Sequence, residues 1–267
     1  MYLNHRVFPY LFSFAILSTL IVSNFGSANA WAQTKPRASA GKGGKVGTFA
    51  DEKIKIGELE REYRLVVPKS VDGTKPVPLV LAFHGFLIDS KDLMPVYTQL
   101  NRLAEKEGFV LAYLNGRNRS WPLVVQRAKP DLDFFDQLVE QLTQQYNIDL
   151  NRIYAVGMSN GGYFTHVLAS QRSDKIAAIA SHSAGIGLVG LKAPELKQKY
   201  AVFVAHGVDD TIVKVDEGRK TRDTYQKWGH PVEYLEVPKQ HHLWAHKADV
   251  NQKIWDFFQR HPLRPAQ

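Results

Sequence analysis

The sequence GMSNG at positions 157–161 has the G-x-S-x-G spacing of a nucleophile elbow, a sharp strand-to-helix turn that presents a serine hydroxyl. An apolar run at 153–156 precedes it, and a helix-compatible stretch at 162–171 follows it. The glycines are needed because larger side chains would collide in so tight a turn. We therefore predict that Ser159 is a nucleophile, with a glycine-rich turn that carries an idle serine as the alternative.

A serine hydroxyl becomes a nucleophile only when a base takes its proton, and the base needs an acid to hold its tautomer. Two later apolar runs each end in a pair of suitable residues, Asp209 with Asp210 and His241 with His242. Their order along the chain, serine then acid then histidine, suits one catalytic unit. Residue type and spacing do not decide within either pair, since one member could cap a helix or face solvent.

The oxyanion of a tetrahedral intermediate needs two preorganised N–H donors. We predict that Asn160, the residue after the nucleophile, supplies one of them. The loop after His84 supplies the other, through Phe86. Trp121 and Trp244 are candidates to line the substrate, with packing in the core as the alternative.

The segment at 131–162, DLDFFDQLVEQLTQQYNIDLNRIYAVGMSNGG, resembles the secreted polyhydroxybutyrate depolymerase and feruloyl or acetylxylan esterase group of the α/β-hydrolases. In that group an HG-x-x-D turn carries the triad acid and an H-x-W segment carries the base. The matching residues at 206–210 and 242–244 imply that Asp210 is the acid and His242 the base. The resemblance also implies the α/β-hydrolase fold and a serine carboxylic-ester hydrolase that forms an acyl-enzyme and uses no cofactor.

Two segments depart from that group, although the resemblance covers most of residues 60–260. The loop after the first HG reads FLI at 86–88, where glycine and cysteine are frequent in the group. The segment at 242–246 reads HLWAH, where many members have HTWPG. Both changes fall on the expected substrate-facing rim. The candidate substrates are therefore a polyester, a feruloylated or acetylated polysaccharide, or a small ester.

The elements that must position these residues form an alternating pattern. Apolar runs predict strands at 59–67, 79–83, 110–114, 153–158, 177–180, 200–205 and 232–237. Periodic stretches predict helices at 93–106, 132–146, 161–171, 216–228 and 246–260. Strand–helix alternation of this kind predicts an α/β fold, a mostly parallel sheet with helices on both faces. The first strand alternates polar and apolar residues, so we expect it to be antiparallel. We expect a single catalytic domain at 51–267.

The N-terminus has the pattern of an export signal. A positive start precedes an apolar run at 11–22, which covers about 18 Å and is too short for a hydrocarbon core of about 30 Å. Small residues follow, with cleavage expected after Ala30 or Ala32. We predict a signal peptide at 1–30, a flexible basic linker at 31–50, and a secreted protein without stable membrane insertion after cleavage.

Charge and composition narrow the class of partner. The chain carries a net charge of +8, but residues 1–50 hold five basic residues and no acidic one. The basic character therefore belongs mostly to the N-terminal tail, and we expect no nucleic-acid partner. The chain has no cysteine, which excludes disulfides, thiol catalysis and zinc–thiolate sites.

Three other functions have weaker support in the sequence. The G-x-G-x-x-G pattern at 185–190 is typical of dinucleotide binding, but a plain glycine-rich loop is the default interpretation. His242 and His246 have the spacing of zinc ligands, yet no H-E-x-x-H motif is present, so we expect no metal. A serine peptidase of the same fold and a non-catalytic hydrolase-like binding protein are the remaining alternatives.

Overall fold

One eight-stranded sheet organises the chain, whose computed structural model describes residues 35–86, 93–193 and 199–263. The spatial order is β1-β2-β4-β3-β5-β6-β7-β8. β1 pairs antiparallel with β2 and β2 with β4, while every other neighbouring pair is parallel. The strands are β1 (Gly47–Ile56), β2 (Leu59–Val67), β3 (Val77–Phe83), β4 (Val110–Leu114), β5 (Ile148–Met158), β6 (Ala178–His182), β7 (Ala201–Gly207) and β8 (Val232–Val237). The predicted mostly parallel sheet and the antiparallel strand at 59–67 are confirmed.

Helices cover both faces of the sheet, as predicted. They are α1 (Leu93–Thr98), α2 (Leu100–Glu107), α3 (Lys129–Gln145), α4 (Asn160–Gln171), α5 (Val215–Lys227) and α6 (Val250–Arg260). Residues of α3, α4 and α5 pack into one buried apolar cluster, and residues of α1, α2 and α6 pack into another. Along β3, Leu81 belongs to the first cluster and Val80 to the second. Both faces of the central strands are therefore buried, which explains their continuous apolar runs.

The N-terminal boundary differs from the sequence expectation. β1 begins at Gly47, inside the range predicted to be a linker, and pairs with β2 along its length. Upstream of it, Ala38 forms a β-bridge with Asp149, and the Ser39 amide donates to the Ile148 carbonyl at 2.9 Å. Where the structure describes it, at 35–50, the predicted linker is thus hydrogen-bonded to β2, to β5 and to the end of α3. The predicted signal peptide lies outside the described residues.

Two predicted helices are interrupted. The pattern at 93–106 forms two helices, because Gln99 adopts a left-handed conformation with φ of 56° between them. The last helix begins at Val250 rather than 246, since His246–Ala248 form a separate 3₁₀ turn and Asp249 has φ of 52°. Within the described residues, none of the helices has the length and apolar character needed to span a bilayer.

Candidate active site

Ser159 lies at the predicted turn between β5 and α4. Its backbone has φ of 51° and ψ of −120°, a conformation that residues with a Cβ rarely adopt. The two flanking glycines allow the turn to close. A Cβ on Gly157 would collide with the Gly161 carbonyl oxygen, and one on Gly161 would collide with the Phe83 carbonyl oxygen at the end of β3. The strained serine and the two close approaches are the geometry expected of a nucleophile elbow.

The predicted acid and base form a direct hydrogen bond. The Nδ1 atom of His242 lies 2.7 Å from Oδ2 of Asp210, on loops that follow β8 and β7. Asp210 is only 2 % exposed. Its other oxygen, Oδ1, accepts the backbone N–H groups of Ile212 and Val213, each at 2.9 Å. The carboxylate is therefore fixed on both sides, and it can hold the imidazole so that Nε2 is free to act as a base.

The surroundings of Asp210 keep it ionised. Burial raises the pKa of Asp210, but the hydrogen bond to His242 and those from the Val213 and Ile212 amides outweigh burial and hold the pKa below its ordinary value. The loop that carries Asp210 is closed by His206, whose Nε2 lies 2.8 Å from the Val213 carbonyl. A carboxylate that stays charged can stabilise the imidazolium that forms when His242 takes a proton.

The structure separates the two members of each ambiguous pair. Asp209 is exposed, whereas Asp210 is buried. His241 is also exposed, and its Nδ1 lies 3.0 Å from the backbone carbonyl of Asp209 rather than from a carboxylate. Of the two pairs, the members that bond to each other through their side chains are Asp210 and His242, the residues that the family resemblance implies.

His182, at the end of β6, joins the nucleophile to the loop that carries the base. Its backbone carbonyl accepts the Ser159 N–H at 2.9 Å. Its ring nitrogen Nε2 accepts the Ala245 N–H at 3.2 Å, and its ring stacks on Trp244 with centroids 4.8 Å apart. Burial, together with the neighbouring histidines His206 and His242, lowers the pKa of His182 to about 3. A neutral His182 therefore holds Ser159 and the His242 loop against the same strand end.

The two predicted oxyanion donors lie at adjoining backbone segments. Asn160 is the first residue of α4, so its N–H is among the amides that the helix leaves without an internal partner. The close approach of Gly161 to the carbonyls of Phe83 and His84 brings the start of this helix to the loop that contains Phe86. Phe86 itself is 59 % exposed and has room to face a substrate.

Neither tryptophan predicted to line the substrate is available to it. Trp121 is 2 % exposed and packs against Phe83 and Phe164. Trp244 is 4 % exposed and is stacked on His182. Both expectations of substrate contact are wrong, because each ring supports the site from within the core.

The Trp121 segment nevertheless has a defined place beside the nucleophile. Its backbone N–H donates to Oδ1 of Asn160 at 2.7 Å, and Nδ2 of Asn160 donates to the Trp121 carbonyl at 3.0 Å. The Trp121 indole donates to the His84 carbonyl at 3.1 Å. We did not predict the role of the Asn160 side chain or of His182. For His182 a signal existed, since it directly follows an apolar strand as the other site residues do.

The glycine-rich stretch at 185–190 packs tightly against α5. A Cβ at Gly185 would lie 2.5 Å from Thr221 Oγ1, and one at Gly187 would lie 2.5 Å from Glu217 Oε2. These glycines are explained by close packing against a helix, in agreement with the default interpretation of a glycine-rich loop. Gly190, which has φ of 67°, has open space around it.

The two histidines with zinc-ligand spacing have other partners. His242 Nδ1 is bonded to Asp210, and His246 Nε2 lies 2.7 Å from the Tyr97 carbonyl oxygen. Over the described ranges, no grouping of three histidine, aspartate or glutamate side chains is arranged to hold a metal ion.

Comparison with known proteins agrees with this architecture. Residues 97–192 match the prolyl oligopeptidase family. The chain is 35 % identical over 144 residues to a bifunctional acetylxylan esterase/xylanase of Neocallimastix patriciarum, which covers 52 % of this chain and 20 % of that protein. It is 24 % identical over 220 residues to feruloyl esterase D of Neurospora crassa, which covers 78 % of this chain and 73 % of that protein.

A solved structure, of a thermostable esterase, superimposes with a TM-score of 0.65 at 25 % sequence identity. The superposition covers 79 % of this chain and 62 % of the esterase. The chain thus spans a fifth of the first relative, about three quarters of the second and under two thirds of the solved esterase.

Proposed function

We propose that this chain, which has the α/β-hydrolase fold, is a secreted serine hydrolase of carboxylic esters. The observation that carries the proposal is the 2.7 Å hydrogen bond between Asp210 and His242 at the same edge of the sheet as the strained Ser159 turn. Three distant segments of chain contribute the three groups that acyl transfer requires.

In this mechanism, Ser159 Oγ attacks the ester carbonyl carbon while His242 Nε2 accepts its proton. Asp210 orients the imidazole through Nδ1 and offsets the positive charge that it gains. The N–H groups of Asn160 and Phe86 bind the oxyanion. His242 then returns the proton to the leaving alcohol, and an acyl-enzyme remains on Ser159. Water activated by the same base releases the acid.

The relatives and the family resemblance suggest which classes of ester the protein hydrolyses. The names of two relatives point to feruloyl or acetyl groups on polysaccharides, and the resemblance adds hydroxybutyrate polyesters. A panel of methyl ferulate, acetylated xylan and short hydroxybutyrate oligomers separates these classes. The class with the highest kcat/KM identifies the substrate.

Export is the part of the proposal that rests on sequence alone. It is supported by the apolar run at 11–22 and by the small residues that follow it. N-terminal sequencing should show that the mature protein, purified from a host that exports it, begins at residue 31 or 33. An intact N-terminus on a cell-associated protein would contradict it.

A serine peptidase is the second candidate, and the match to the prolyl oligopeptidase family favours it. The same three groups could cleave an amide, so the two activities must be separated by substrate. Aminoacyl p-nitroanilides and p-nitrophenyl esters with the same acyl group provide the comparison. For an ester hydrolase, the ratio of kcat/KM for the ester to that for the anilide should far exceed the ratio of their uncatalysed hydrolysis rates.

A fluorophosphonate probe tests the serine mechanism directly. Wild type should label with one probe per chain, and Ser159→Ala should not label. Hydrolysis of p-nitrophenyl acetate should fall about a million-fold in that variant. Ser170→Ala is a matched control, because Ser170 lies on the same helix and donates its hydroxyl to the Val167 carbonyl. Labelling that survives in Ser159→Ala would contradict the proposal, because it would place the reactive nucleophile on another residue. A wild type that neither labels nor turns over an ester would also contradict it and would favour a binding protein.

A further inference from the structure

The loop after β4, residues 115–121, is bonded directly to the catalytic machinery. The Gly116 N–H donates to His84 Nε2 at 2.9 Å, and the Trp121 N–H donates to Asn160 Oδ1 at 2.7 Å. His84 precedes the loop of Phe86, and Asn160 follows the nucleophile. The 115–121 loop is therefore fixed at both ends to the segments proposed to bind the oxyanion.

The tip of this loop has an unusual backbone. Asn118 has φ of 52° and Arg119 has φ of 56°, so two successive residues with a Cβ occupy the left-handed region. This region is disfavoured for such residues and persists where the surrounding structure imposes it. Strained backbone of this kind concentrates at binding sites and clamps. Here it presents Arg117 and Arg119, both exposed, on a loop anchored at the oxyanion segments.

A cavity of about 540 Å³ opens beside this tip. Its volume lies within the range of about 300–1,000 Å³ that is typical of small-molecule sites. Both arginines line it, and so does His84, which links the cavity to the oxyanion loop. His84 lies two residues before Phe86, so the cavity adjoins a segment proposed to bind the oxyanion.

Positive charge exceeds negative charge among the side chains of the cavity. Of its carboxylates, Glu60 is paired with Lys53 at 2.6 Å, and Glu62 accepts the Asn115 amide at 3.4 Å. Among the side chains of the described ranges, Arg119 forms no ion pair, and Arg117 has only a loose one, at 3.7 Å to Asp131. Asp131 is already paired with the buried Arg61 at 2.8 Å. Arg117 and Arg119 together thus outweigh Glu62.

We propose that this cavity is an accessory subsite in which Arg119, assisted by Arg117, binds a carboxylate carried by the ester substrate. This inference rests on the proposed esterase function and names the chemical class of its substrate: an ester that also bears an anionic group. Arginine is suited to the role because its planar guanidinium binds a carboxylate through two parallel hydrogen bonds. A neutral ester would leave both guanidinium groups solvated and gain no such contact.

The carboxylate could belong to the acyl group or to the alcohol. p-Nitrophenyl hemiglutarate carries it on the acyl side, with p-nitrophenyl acetate as its neutral partner. 3-Carboxyphenyl acetate carries it on the alcohol side, with phenyl acetate as its neutral partner. Within each pair, the ratio of kcat/KM for the anionic ester to that for the neutral ester measures the subsite, and it does not depend on the fraction of enzyme that is folded.

Arg119→Gln should lower this ratio about tenfold for the pair whose anion reaches the subsite, and Arg117→Gln should lower it less. Arg102→Gln is the matched control, because it removes one exposed positive charge from α2 on the other face of the sheet. It should leave the ratio unchanged. In about 1 M salt the wild-type ratio should also fall, since a Debye length of about 3 Å screens exposed charges.

Equal ratios in wild type, Arg119→Gln and Arg102→Gln for both pairs would overturn the subsite and leave the esterase standing. An equal drop in Arg119→Gln and Arg102→Gln would also overturn it, because that result indicates attraction by net charge alone. If wild type hydrolyses no ester of either pair, the proposed function itself fails, whatever the variants do.

Discussion

The catalytic edge and the substrate rim differ in how firmly the structure holds them. The catalytic edge consists of the proposed triad, Ser159, Asp210 and His242, together with His182. These residues are fixed by short hydrogen bonds, close glycine contacts and burial. The rim consists of exposed side chains on the loops that follow strands β3, β4, β7 and β8. They are Phe86 (59 % exposed), Ile212 (73 % exposed), Leu243 (53 % exposed) and the exposed Arg119.

The contrast indicates a division of roles within single loops. Asp210 and Ile212 lie two residues apart, yet Asp210 is buried and Ile212 is exposed to solvent. His242 and Leu243 are adjacent and differ in the same sense. We infer that the chemistry depends on the buried member of each pair and that the exposed one contributes only weak contacts to the substrate.

Within the pairs of buried and exposed neighbours, the largest expected effect separates Asp210 from Asp209. Asp210→Asn should lower kcat for an activated ester by about 10⁴-fold, because the amide cannot hold the tautomer or offset the imidazolium charge. Asp209→Asn, the matched control, should change kcat by less than about threefold, since Asp209 is exposed. Steady-state kinetics of both variants provide the check. If Asp209→Asn lost the activity and Asp210→Asn kept it, the acid would be Asp209, and the inference that the buried residue of each pair carries the chemistry would be wrong.

The second prediction concerns His182 as a positioning residue. His182→Phe keeps an aromatic ring for Trp244 but removes the acceptor for the Ala245 N–H. The His242 loop should then shift, lowering kcat about 10- to 100-fold with little change in KM. His182→Gln, which can place an oxygen near the lost nitrogen, should recover part of the rate.

The control for this residue is His261→Gln, at the end of α6, where the ring lies 2.8 Å from the Phe257 carbonyl. It should keep wild-type kcat. A His182→Phe variant that loses thermal stability but retains kcat would show that His182 supports the fold and does not position the base.

Much of the catalytic edge could be predicted from sequence, because it follows from local patterns. Apolar runs mark buried strands, and chemistry lies at their carboxyl ends, so Ser159, Asp210 and His242 were identifiable as candidates. The doublets were not separable by physics alone, since burial of Asp210 and exposure of Asp209 depend on the packing of β7 against β8 and α5.

The sequence predictions that the structure contradicts also have physical explanations. Trp244 follows the same strand end as His242, and Trp121 follows the end of β4, but residue type does not tell whether a ring turns outward or packs beneath a loop. The sequence analysis misses β1 because a basic, glycine-rich stretch precedes it, although residues 50–56 alternate in exposure as a half-buried strand should. The break at Gln99 depends on a left-handed residue that has no glycine to signal it.

The third prediction uses the pH dependence of stability. Burial lowers the pKa of His182 to about 3, and it does the same for His166. Both are neutral when folded and can protonate when unfolded, where their pKa is about 6.5. Their contribution to stability is therefore complete above about pH 6.5 and is lost as the pH falls toward 3. The free energy of unfolding should drop by about 1.4 kcal/mol per pH unit for each histidine over that window.

Urea titrations between pH 7 and 4 measure this slope. His166→Asn should reduce the proton uptake on unfolding by about one, which shows as a shallower dependence of unfolding free energy on pH. A slope unaffected by removing either histidine would contradict the assignment of both as buried and neutral.

The smallest effects should come from the apolar side chains of the rim. Ile212→Ala and Leu243→Ala should each change the free energy of unfolding by no more than about 0.5 kcal/mol, because these side chains are exposed. We expect the change in kcat/KM for a bulky acyl ester to be about threefold or less for each. A 10- to 100-fold loss of activity in either variant, as large as that expected for His182→Phe, would contradict the proposed difference between edge and rim.

The central claim is that Ser159, His242 and Asp210 act as one unit, and a crystal structure of the fluorophosphonate adduct tests it most directly. The account predicts phosphorus bonded to Ser159 Oγ, with the phosphonyl oxygen about 2.7–3.1 Å from the N–H groups of Phe86 and Asn160. It also predicts that His242 Nε2 lies within hydrogen-bond reach of the adduct while Nδ1 remains bonded to Asp210. Phosphorus on another residue, or an adduct on Ser159 with His242 turned away from it, would contradict the claim.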